Sequence, residues 1–208
     1  MPASDSDPKT VLRARAHEVR RRAHARFGAR MGAILRNNFF AQFSHPAHTD
    51  IAGYWPVADE VDLRPLLSAL HRRGHRMALP RVLRRNAPLR FLRWHPGDRL
   101  EPGFAGIPEP DAGAEEIHPD VILVPLLGFD GTGRRLGYGG GFYDRSLASL
   151  RRRQEICAIG IAYADQEVDS LPPGDHDEPL DWVVTERGSR RFDAAEDAGG
   201  GAAGGASG

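Results

Sequence analysis

Apolar residues recur at near-helical spacing through the first forty residues of the chain. They stand among charged and helix-forming residues between Lys9 and Phe43. This spacing predicts one long helix, or two helices broken at Gly28 or Gly32. The residues that form the pattern are Val11, Val19, Phe27, Met31, Ile34 and Leu35.

A second amphipathic helix is predicted over residues 58–75. Asp59 is a possible N-cap and Gly74 is a stop signal. Four leucines on one face give the segment its apolar side, namely Leu63, Leu66, Leu67 and Leu70. A further helix is predicted over 142–153, directly after a glycine-rich loop at 131–141.

Two near-continuous apolar runs, 120–130 and 155–164, are typical of strands buried on both faces of a parallel sheet. Shorter strands are predicted at 50–57, 76–82, 89–95 and 181–186. Strands that alternate with helices predict an α/β fold with a mostly parallel sheet covered on both faces. In such sheets ligands bind beyond the carboxyl ends of the strands.

The remaining segments are predicted to lack regular structure. Residues 96–113 are dense in turn formers and are expected to form an exposed loop. The Gly- and Ala-rich residues 193–208 are too poor in apolar groups to offset the entropy of ordering, so a disordered tail is expected there. With a disordered N-terminus at 1–8, this leaves a single domain over 9–192.

Composition narrows the function classes. The 28 basic and 28 acidic residues give zero formal charge, which argues against nucleic acid or an anionic membrane as the main partner. No apolar run approaches the roughly 20 residues of a spanning helix, so a cytoplasmic protein is expected. Cys157 is the only cysteine, and its apolar surroundings favour a buried core thiol over a nucleophile. The nine histidines lack zinc-site spacing and are interpreted as surface or loop residues.

The segment "RRLGYGGGFYDR" at 134–145 carries the strongest chemical signal. A buried strand, a glycine-rich loop and a helix N-terminus, in that order, build a cradle for phosphate. The segment is neither a P-loop nor a Rossmann fingerprint, and a flexible surface loop is the alternative interpretation. Arg134 and Arg135 can neutralise phosphate, and three aromatic residues offer stacking faces, namely Tyr138, Phe142 and Tyr143.

Two aspartates are candidate magnesium ligands. Asp144 directly follows the glycines, and Mg2+ binds through one or two carboxylates together with phosphate oxygens and water. The alternative for Asp144 is a first-turn acid favoured by the helix dipole. Asp177 lies in a proline-rich turn before the last strand, and its alternative is an Asx-turn.

These motifs resemble those of the 5-formyltetrahydrofolate cyclo-ligase family, also called methenyltetrahydrofolate synthetases. The central signature is "VPLLGFDGTGRRLGYGGGFYDRSL" at 124–147. Three other segments agree in order and spacing: the Lys9/Arg13 pair, "YWPVADEVD" at 54–62 and "DHDEPLDWVVTE" at 175–186. The resemblance implies a three-layer α/β/α fold, similar in topology to sugar-phosphate isomerases and CoA transferases. It also implies conversion of 5-formyltetrahydrofolate and ATP to 5,10-methenyltetrahydrofolate, ADP and phosphate, with Mg2+.

The resemblance also implies roles for particular residues. Lys9 and Arg13 are expected to be catalytic, Asp144 and Asp177 to bind the metal. ATP is expected to contact Lys9, Thr10, Val11, Leu12, Arg13, Arg135, Leu136, Gly137, Tyr138, Gly139, Gly140, Gly141, Phe142 and Tyr143. The folate is expected to contact Val57, Glu60, Asp62, Tyr138 and Phe142, with either Glu60 or Asp62 orienting the pterin. No nucleic-acid or membrane partner is expected, and a monomer is predicted.

Two departures from the family pattern stand out. Some members carry a lysine in the glycine run where this chain has Gly140, and "PLLGFD" replaces a smaller-residue version. Two rival functions remain at this point. One is a sugar-phosphate isomerase or acyl-CoA transferase, although its acid–base carboxylate or glutamate nucleophile is not identifiable. The other is a folate-sequestering protein that has lost turnover.

Overall fold

The computed structural model describes residues 8–192. The segments predicted to be disordered, 1–8 and 193–208, fall outside this range, apart from Pro8, which is the first residue of helix α1.

The N-terminal apolar pattern forms two helices, α1 (Pro8–Phe27) and α2 (Arg30–Gln42). They separate at Gly28, whose φ of +51° is a left-handed conformation that favours glycine. The break predicted at Gly28 or Gly32 is therefore at Gly28. Helix α2 buries Met31, Leu35 and Phe39 on one face.

Helix α3 (Arg64–Arg72) and helix α4 (Phe142–Arg151) complete the helices. The strands are, in chain order, β1 (Asp50–Ala52), β2 (Arg76–Arg81), β3 (Arg90–Arg93), β4 (Glu101–Pro102), β5 (Pro108–Glu109), β6 (Val121–Pro125), β7 (Gly128–Phe129), β8 (Arg135–Leu136), β9 (Cys157–Ile161), β10 (Trp182–Thr185) and β11 (Gly188–Arg191).

Seven strands form the central sheet in the order β11-β10-β9-β6-β1-β2-β3. The five inner strands are parallel, and the two edge strands β11 and β3 pair antiparallel to their neighbours. Parallel strands put their carboxyl ends at one edge of the sheet, so the loops that follow β1, β2 and β6 converge there.

Alternation along the strands divides the interior into two cores. Ile51 of β1 packs with apolar residues of α2 and α3 on one face of the sheet. The next residue, Ala52, packs with Leu147 of α4 on the opposite face. This arrangement confirms the predicted α/β/α fold with a mostly parallel sheet.

Several element boundaries differ from the sequence prediction. Helix α3 begins at Arg64 rather than near 58, with Leu63 at the N-cap position and no side-chain cap, so Asp59 as the N-cap was wrong. Strand β1 ends at Ala52, and not near Pro56. The segment 96–113 was predicted to be irregular and exposed, yet it contains the β4–β5 hairpin. Strand β11 was not predicted, because its sequence GSRR lacks an apolar pattern.

Candidate active site

A cavity of about 920 Å³ opens at the carboxyl ends of the inner parallel strands. Tyr54 after β1, Val82 after β2 and Pro125 at the end of β6 line it. Helix α1 contributes Lys9 and Arg13 to the lining. The lining also contains residues 135–145, which include the glycine-rich segment and the first turn of α4. A cavity therefore lies at the edge of the sheet where a ligand site was predicted.

The glycine-rich segment runs from β8 into α4 along the floor of this cavity. Gly139 has a φ of +93°, and Gly141, at the N-cap of α4, has a φ of +63°. L-residues rarely adopt either conformation, which accounts for glycine at both positions. The turn leaves Gly139 and Gly140 exposed just before the helix N-terminus, where unpaired backbone N–H groups favour an anion.

Helix α1 lies against the glycine-rich segment. Arg13 Nε donates a hydrogen bond of 3.1 Å to the Gly137 carbonyl oxygen. One turn further along, the His17 ring lies 5.7 Å from the Tyr138 ring between centroids. Residues at helical spacing on one face of α1 therefore position the segment from its side.

Lys9 and Asp177 form an ion pair at the cavity wall, with 3.4 Å between Nζ and Oδ2. Both side chains keep about a third of their surface exposed, 29% and 33%. The pair joins the N-terminal helix to the turn before β10, 168 residues away in sequence. Because exposed ion pairs contribute little stability, this pair can exchange partners with a charged ligand.

Asp144 lies in the first turn of α4 and binds Arg135. Arg135 Nη2 donates a bond of 2.6 Å to Asp144 Oδ1, and the same oxygen accepts a 3.3 Å bond from the Glu178 backbone N–H. Arg135 is only 5% exposed, and its burial lowers the pKa of the guanidinium while the neighbouring Asp144 raises it. The side chain predicted to face phosphate is therefore anchored to a carboxylate that also lines the cavity.

A network of four side chains is centred on the buried residues Arg20 and Glu60. Its members Glu60 and Tyr138 line another part of the cavity, where Tyr138 is 47% exposed. Arg20 is 3% exposed and donates to Asp59 Oδ1 at 2.6 Å and to the Tyr138 hydroxyl. The Tyr138 hydroxyl donates to Glu60 Oε1, while Glu60 Oε2 accepts a 2.9 Å bond from the Val57 N–H. Arg20 also lies 3.8 Å from Glu60 Oε1. We call Arg20, Asp59, Glu60 and Tyr138 the buried network.

Burial and charge shift the pKa values in this network in opposite directions. Burial raises the pKa of the Glu60 carboxyl, and hydrogen bonds from Tyr138 and Val57 and the charge of Arg20 oppose that rise. Burial also acts to raise the pKa of Asp59, but the hydrogen bond and charge of Arg20 outweigh it and the net pKa is lowered. The pKa of Tyr138 is raised by burial and then by the negative charge of Glu60, so its hydroxyl remains a hydrogen-bond donor.

The β4–β5 hairpin covers one side of the cavity with residues that sequence reasoning missed. Phe104 contacts Phe142 edge to face, with 5.6 Å between ring centroids. Buried Glu109 holds the hairpin, because its Oε1 accepts bonds from Val82 N at 3.2 Å and Phe104 N at 3.1 Å. No periodicity signals this segment in the sequence, because each of its two strands is only two residues long.

Most of the predicted site residues meet in this cavity. Lys9, Arg13, Val57, Glu60, Asp144, Asp177 and all of 135–143 line it. Four predicted contacts are not among the lining residues of the described chain, namely Thr10, Val11, Leu12 and Asp62. Val11 is 58% exposed, and Leu12 packs against a small apolar cluster with Leu136. Asp62 forms an ion pair with Arg64 at 2.8 Å.

Fold and site together define an α/β/α protein whose cavity is lined by cations of the first helix and by a glycine-rich turn at a helix N-terminus. A model of the 5-formyltetrahydrofolate cyclo-ligase family matches residues 5–186. This chain therefore belongs to the 5-formyltetrahydrofolate cyclo-ligase family, and the predicted resemblance is confirmed.

Individual relatives agree with this membership. The chain is 38% identical over 144 residues to the 5-formyltetrahydrofolate cyclo-ligase of Escherichia coli K12, covering 67% of this chain and 78% of the relative. It is 36% identical over 143 residues to that of Mycolicibacterium smegmatis, covering 65% and 72%.

A solved structure of a 5,10-methenyltetrahydrofolate synthetase from Aquifex aeolicus is similar, with a TM-score of 0.74 and 31% identity over 88% of this chain and 92% of that one. The synthetase from Mycoplasma pneumoniae matches with a TM-score of 0.67 and 25% identity, over 86% and 99% of the two chains. As for membranes, none of the helices within residues 8–192 combines the length and apolarity needed to cross one.

Proposed function

We propose that this protein converts 5-formyltetrahydrofolate and ATP to 5,10-methenyltetrahydrofolate, ADP and phosphate. The observation that carries the proposal is the convergence of Lys9, Arg13, the glycine-rich turn and Glu60 on one cavity. We call Lys9, Arg13, the backbone of 137–141, Asp144 and Asp177 the phosphate end of the cavity. Val57, Glu60, Tyr138 and Phe142 form its folate end.

The reaction requires activation of a poor electrophile. A formamide carbon resists attack, and its oxygen is a poor leaving group. In the proposed reaction, the formyl oxygen attacks the γ-phosphorus of ATP, a P–O bond forms and ADP leaves. N10 then adds to the activated carbon and loses its proton. The C–O bond breaks and phosphate departs, which leaves the N5–C–N10 bridge of the methenyl product.

The phosphate end is suited to the first step. Phosphoryl transfer is assisted mainly by positioning and by positive charge around the phosphate oxygens. Lys9 and Arg13 supply cations from α1, and the backbone N–H groups around 139–141 supply donors at the α4 N-terminus. No side-chain nucleophile is required, in agreement with the position of Cys157, which is partly buried and packs against the apolar core.

Mg2+ is part of the proposal, and the donor set fits it. Within residues 8–192, no cluster of three or more His, Cys, Asp or Glu side chains is arranged to hold a metal by itself. Magnesium, however, binds through one or two carboxylates together with phosphate oxygens and water. Asp144 and Asp177 provide two carboxylates that line the same cavity. When bound there, the ion supplies positive charge beside the phosphates of ATP.

The folate end is suited to the pterin. A carboxylate offers about four lone-pair positions, and the described hydrogen bonds to Glu60 come from Tyr138 and Val57. Glu60 can therefore accept further bonds from the amino and ring N–H groups of the pterin, and Phe142 offers an aromatic face. Between Glu60 and Asp62, the position in the cavity lining favours Glu60, because Asp62 pairs with Arg64.

The test is a coupled measurement of both products with purified protein. ADP and the methenyl product are expected to appear in equal amounts and only when 5-formyltetrahydrofolate and ATP are both present. Folate binding without ADP release would overturn the proposal in favour of a folate-sequestering protein. ADP release without methenyl product would show an ATPase of another kind.

A further inference from the structure

Arg20 is a buried cation behind the cavity lining that the family resemblance did not single out. It is 3% exposed and lies on the face of α1 that also carries Lys9 and Arg13. Its two terminal nitrogens donate to Asp59, 39 residues away in sequence, and to Tyr138, 118 residues away. One side chain thus joins the segment after β1 to the glycine-rich segment before α4.

Burying this arginine has a large desolvation cost. Such a charge is tolerated only when carboxylates and hydrogen bonds compensate it. Here two carboxylates, Asp59 at 2.6 Å and Glu60 at 3.8 Å, face one guanidinium. The network carries one excess negative formal charge, which is complementary to a ligand that presents N–H donors and not to a phosphate.

The two carboxylates, Asp59 and Glu60, have different hydrogen-bond partners. Asp59 takes the short ion pair with Arg20, whereas Glu60 is held by the Tyr138 hydroxyl and the Val57 N–H. Of the two, Glu60 lines the cavity and Asp59 does not. Arg20 therefore orients Glu60 indirectly, through Tyr138, and by its charge.

We propose that Arg20 is a positioning residue that holds the Glu60 carboxylate ionised and oriented toward the folate. Arg20 also holds the Tyr138 side chain in place, and so keeps the glycine-rich segment in a fixed position relative to the folate end of the cavity. This inference rests on the proposed function and extends it to a residue outside the cavity lining. Arg20 itself touches neither substrate in this account.

The proposal predicts a particular pH dependence. Charged and titratable groups around Glu60 come from four elements: Arg20 and His17 on α1, Tyr54 and Asp59 after β1, Tyr138 before α4 and Tyr143 on α4. Binding needs the carboxylate, so folate capture is lost as the pH falls through the pKa of Glu60. Arg20 lowers that pKa, so its removal moves the loss to higher pH.

The experiment compares Arg20→Met, Arg20→Lys and a control, Arg22→Met, on the exposed face of α1, where Arg22 is 76% exposed. For Arg20→Met we expect kcat/KM for 5-formyltetrahydrofolate to fall about 10- to 100-fold, the range of a lost hydrogen bond to a charged group. The KM for ATP should change less than the KM for folate. The acid limb of the kcat/KM profile should move to higher pH, and Arg20→Lys should move it back toward the wild type.

A double variant tests whether Glu60 is the group that titrates in the acid limb of the kcat/KM profile. In a Glu60→Gln background, Arg20→Met should no longer shift the acid limb, because the titrating group is absent. A shift that persists there would overturn the proposal. Equal losses toward both substrates with an unshifted acid limb would also overturn it, since a purely structural role predicts that result.

Tyr138→Phe keeps the test decisive if Arg20→Met does not fold. It removes only the hydroxyl, so the Arg20–Asp59 pair remains, and folate KM should rise with ATP KM little changed. Unchanged folate KM in a folded Tyr138→Phe variant would overturn the proposal. A wild-type protein without methenyl formation would instead show that the proposed function is wrong, which separates the two failures.

Discussion

The phosphate end of the cavity and the buried network hold their ion pairs in different environments. At the phosphate end, Lys9 and Asp177 are paired at 3.4 Å with about a third of each side chain exposed. In the buried network, Arg20 is paired with Asp59 at 2.6 Å and is almost fully buried. The first pair can open toward a charged ligand at little cost, whereas opening the second would leave a buried charge uncompensated. The difference separates groups that bind a substrate from groups that hold the wall in place.

The largest effect is expected for a substitution at the phosphate end of the cavity. Lys9→Ala should lower kcat/KM for ATP about 100- to 1000-fold, the range seen when one preorganised donor to developing charge is removed. Its melting temperature should change little, because an exposed ion pair contributes about 0–1 kcal/mol. Steady-state kinetics and thermal denaturation check both parts. A large loss of stability would show that Lys9 belongs with the fixed groups.

Asp144 has features of both the substrate-binding groups and the groups that hold the wall in place, because it pairs with buried Arg135 and also lines the cavity. Asp144→Asn keeps an oxygen at the Arg135 contact but removes the charge. The Mg2+ concentration for half-maximal rate should rise about 10- to 100-fold, as for other losses in metal sites. A magnesium titration with saturating ATP measures this, with Asp165→Asn, outside the cavity lining, as the matched control. An unchanged magnesium requirement would remove Asp144 from the metal site.

Glu109 should show the reverse pattern to Lys9, with more effect on stability than on chemistry. Glu109→Ala leaves the Val82 and Phe104 N–H groups without their acceptor and removes one of the two carboxylates that pair with Arg81. At about 1–3 kcal/mol for unsatisfied buried groups, the melting temperature should fall by several degrees. Folate KM should rise a few-fold, since Phe104 lines the cavity. A stable variant with greatly reduced kcat would contradict this assignment.

The smallest effect is expected at the opposite end of the sheet. Cys157 begins β9, in register with Val121 and away from the carboxyl ends of the strands. Burial raises the pKa of its thiol to about 11, so the reactive thiolate is scarce at neutral pH. Cys157→Ser should leave kcat and both KM values unchanged within about two-fold, as expected for substitutions away from the chemistry. Loss of kcat with full stability would revive the nucleophile interpretation.

The sequence predicted the parts of this protein whose signals are local. Apolar periodicity defined α1 and α2, Gly28 and Gly32 were the two candidates for the break between them, and apolar runs marked the buried strands β6 and β9. The glycine-rich turn was also visible, because glycines between a strand and a helix give a local conformational signal. Each of these features depends on residues that are close in sequence, so the sequence alone is enough to predict it.

Only the tertiary structure decided which charges pair. Asp59 stood where a helix cap was expected, but α3 begins five residues later and the Asp59 carboxylate binds Arg20 instead. The β4–β5 hairpin and the role of Glu109 were equally out of reach, because the paired strands are two residues long. Periodicity arises from a residue's position on its own element, whereas an ion pair between distant segments arises from how the elements pack. The sequence therefore determined the fold class and the position of the glycine-rich turn, and the packing of α1 across the sheet edge decided the buried network.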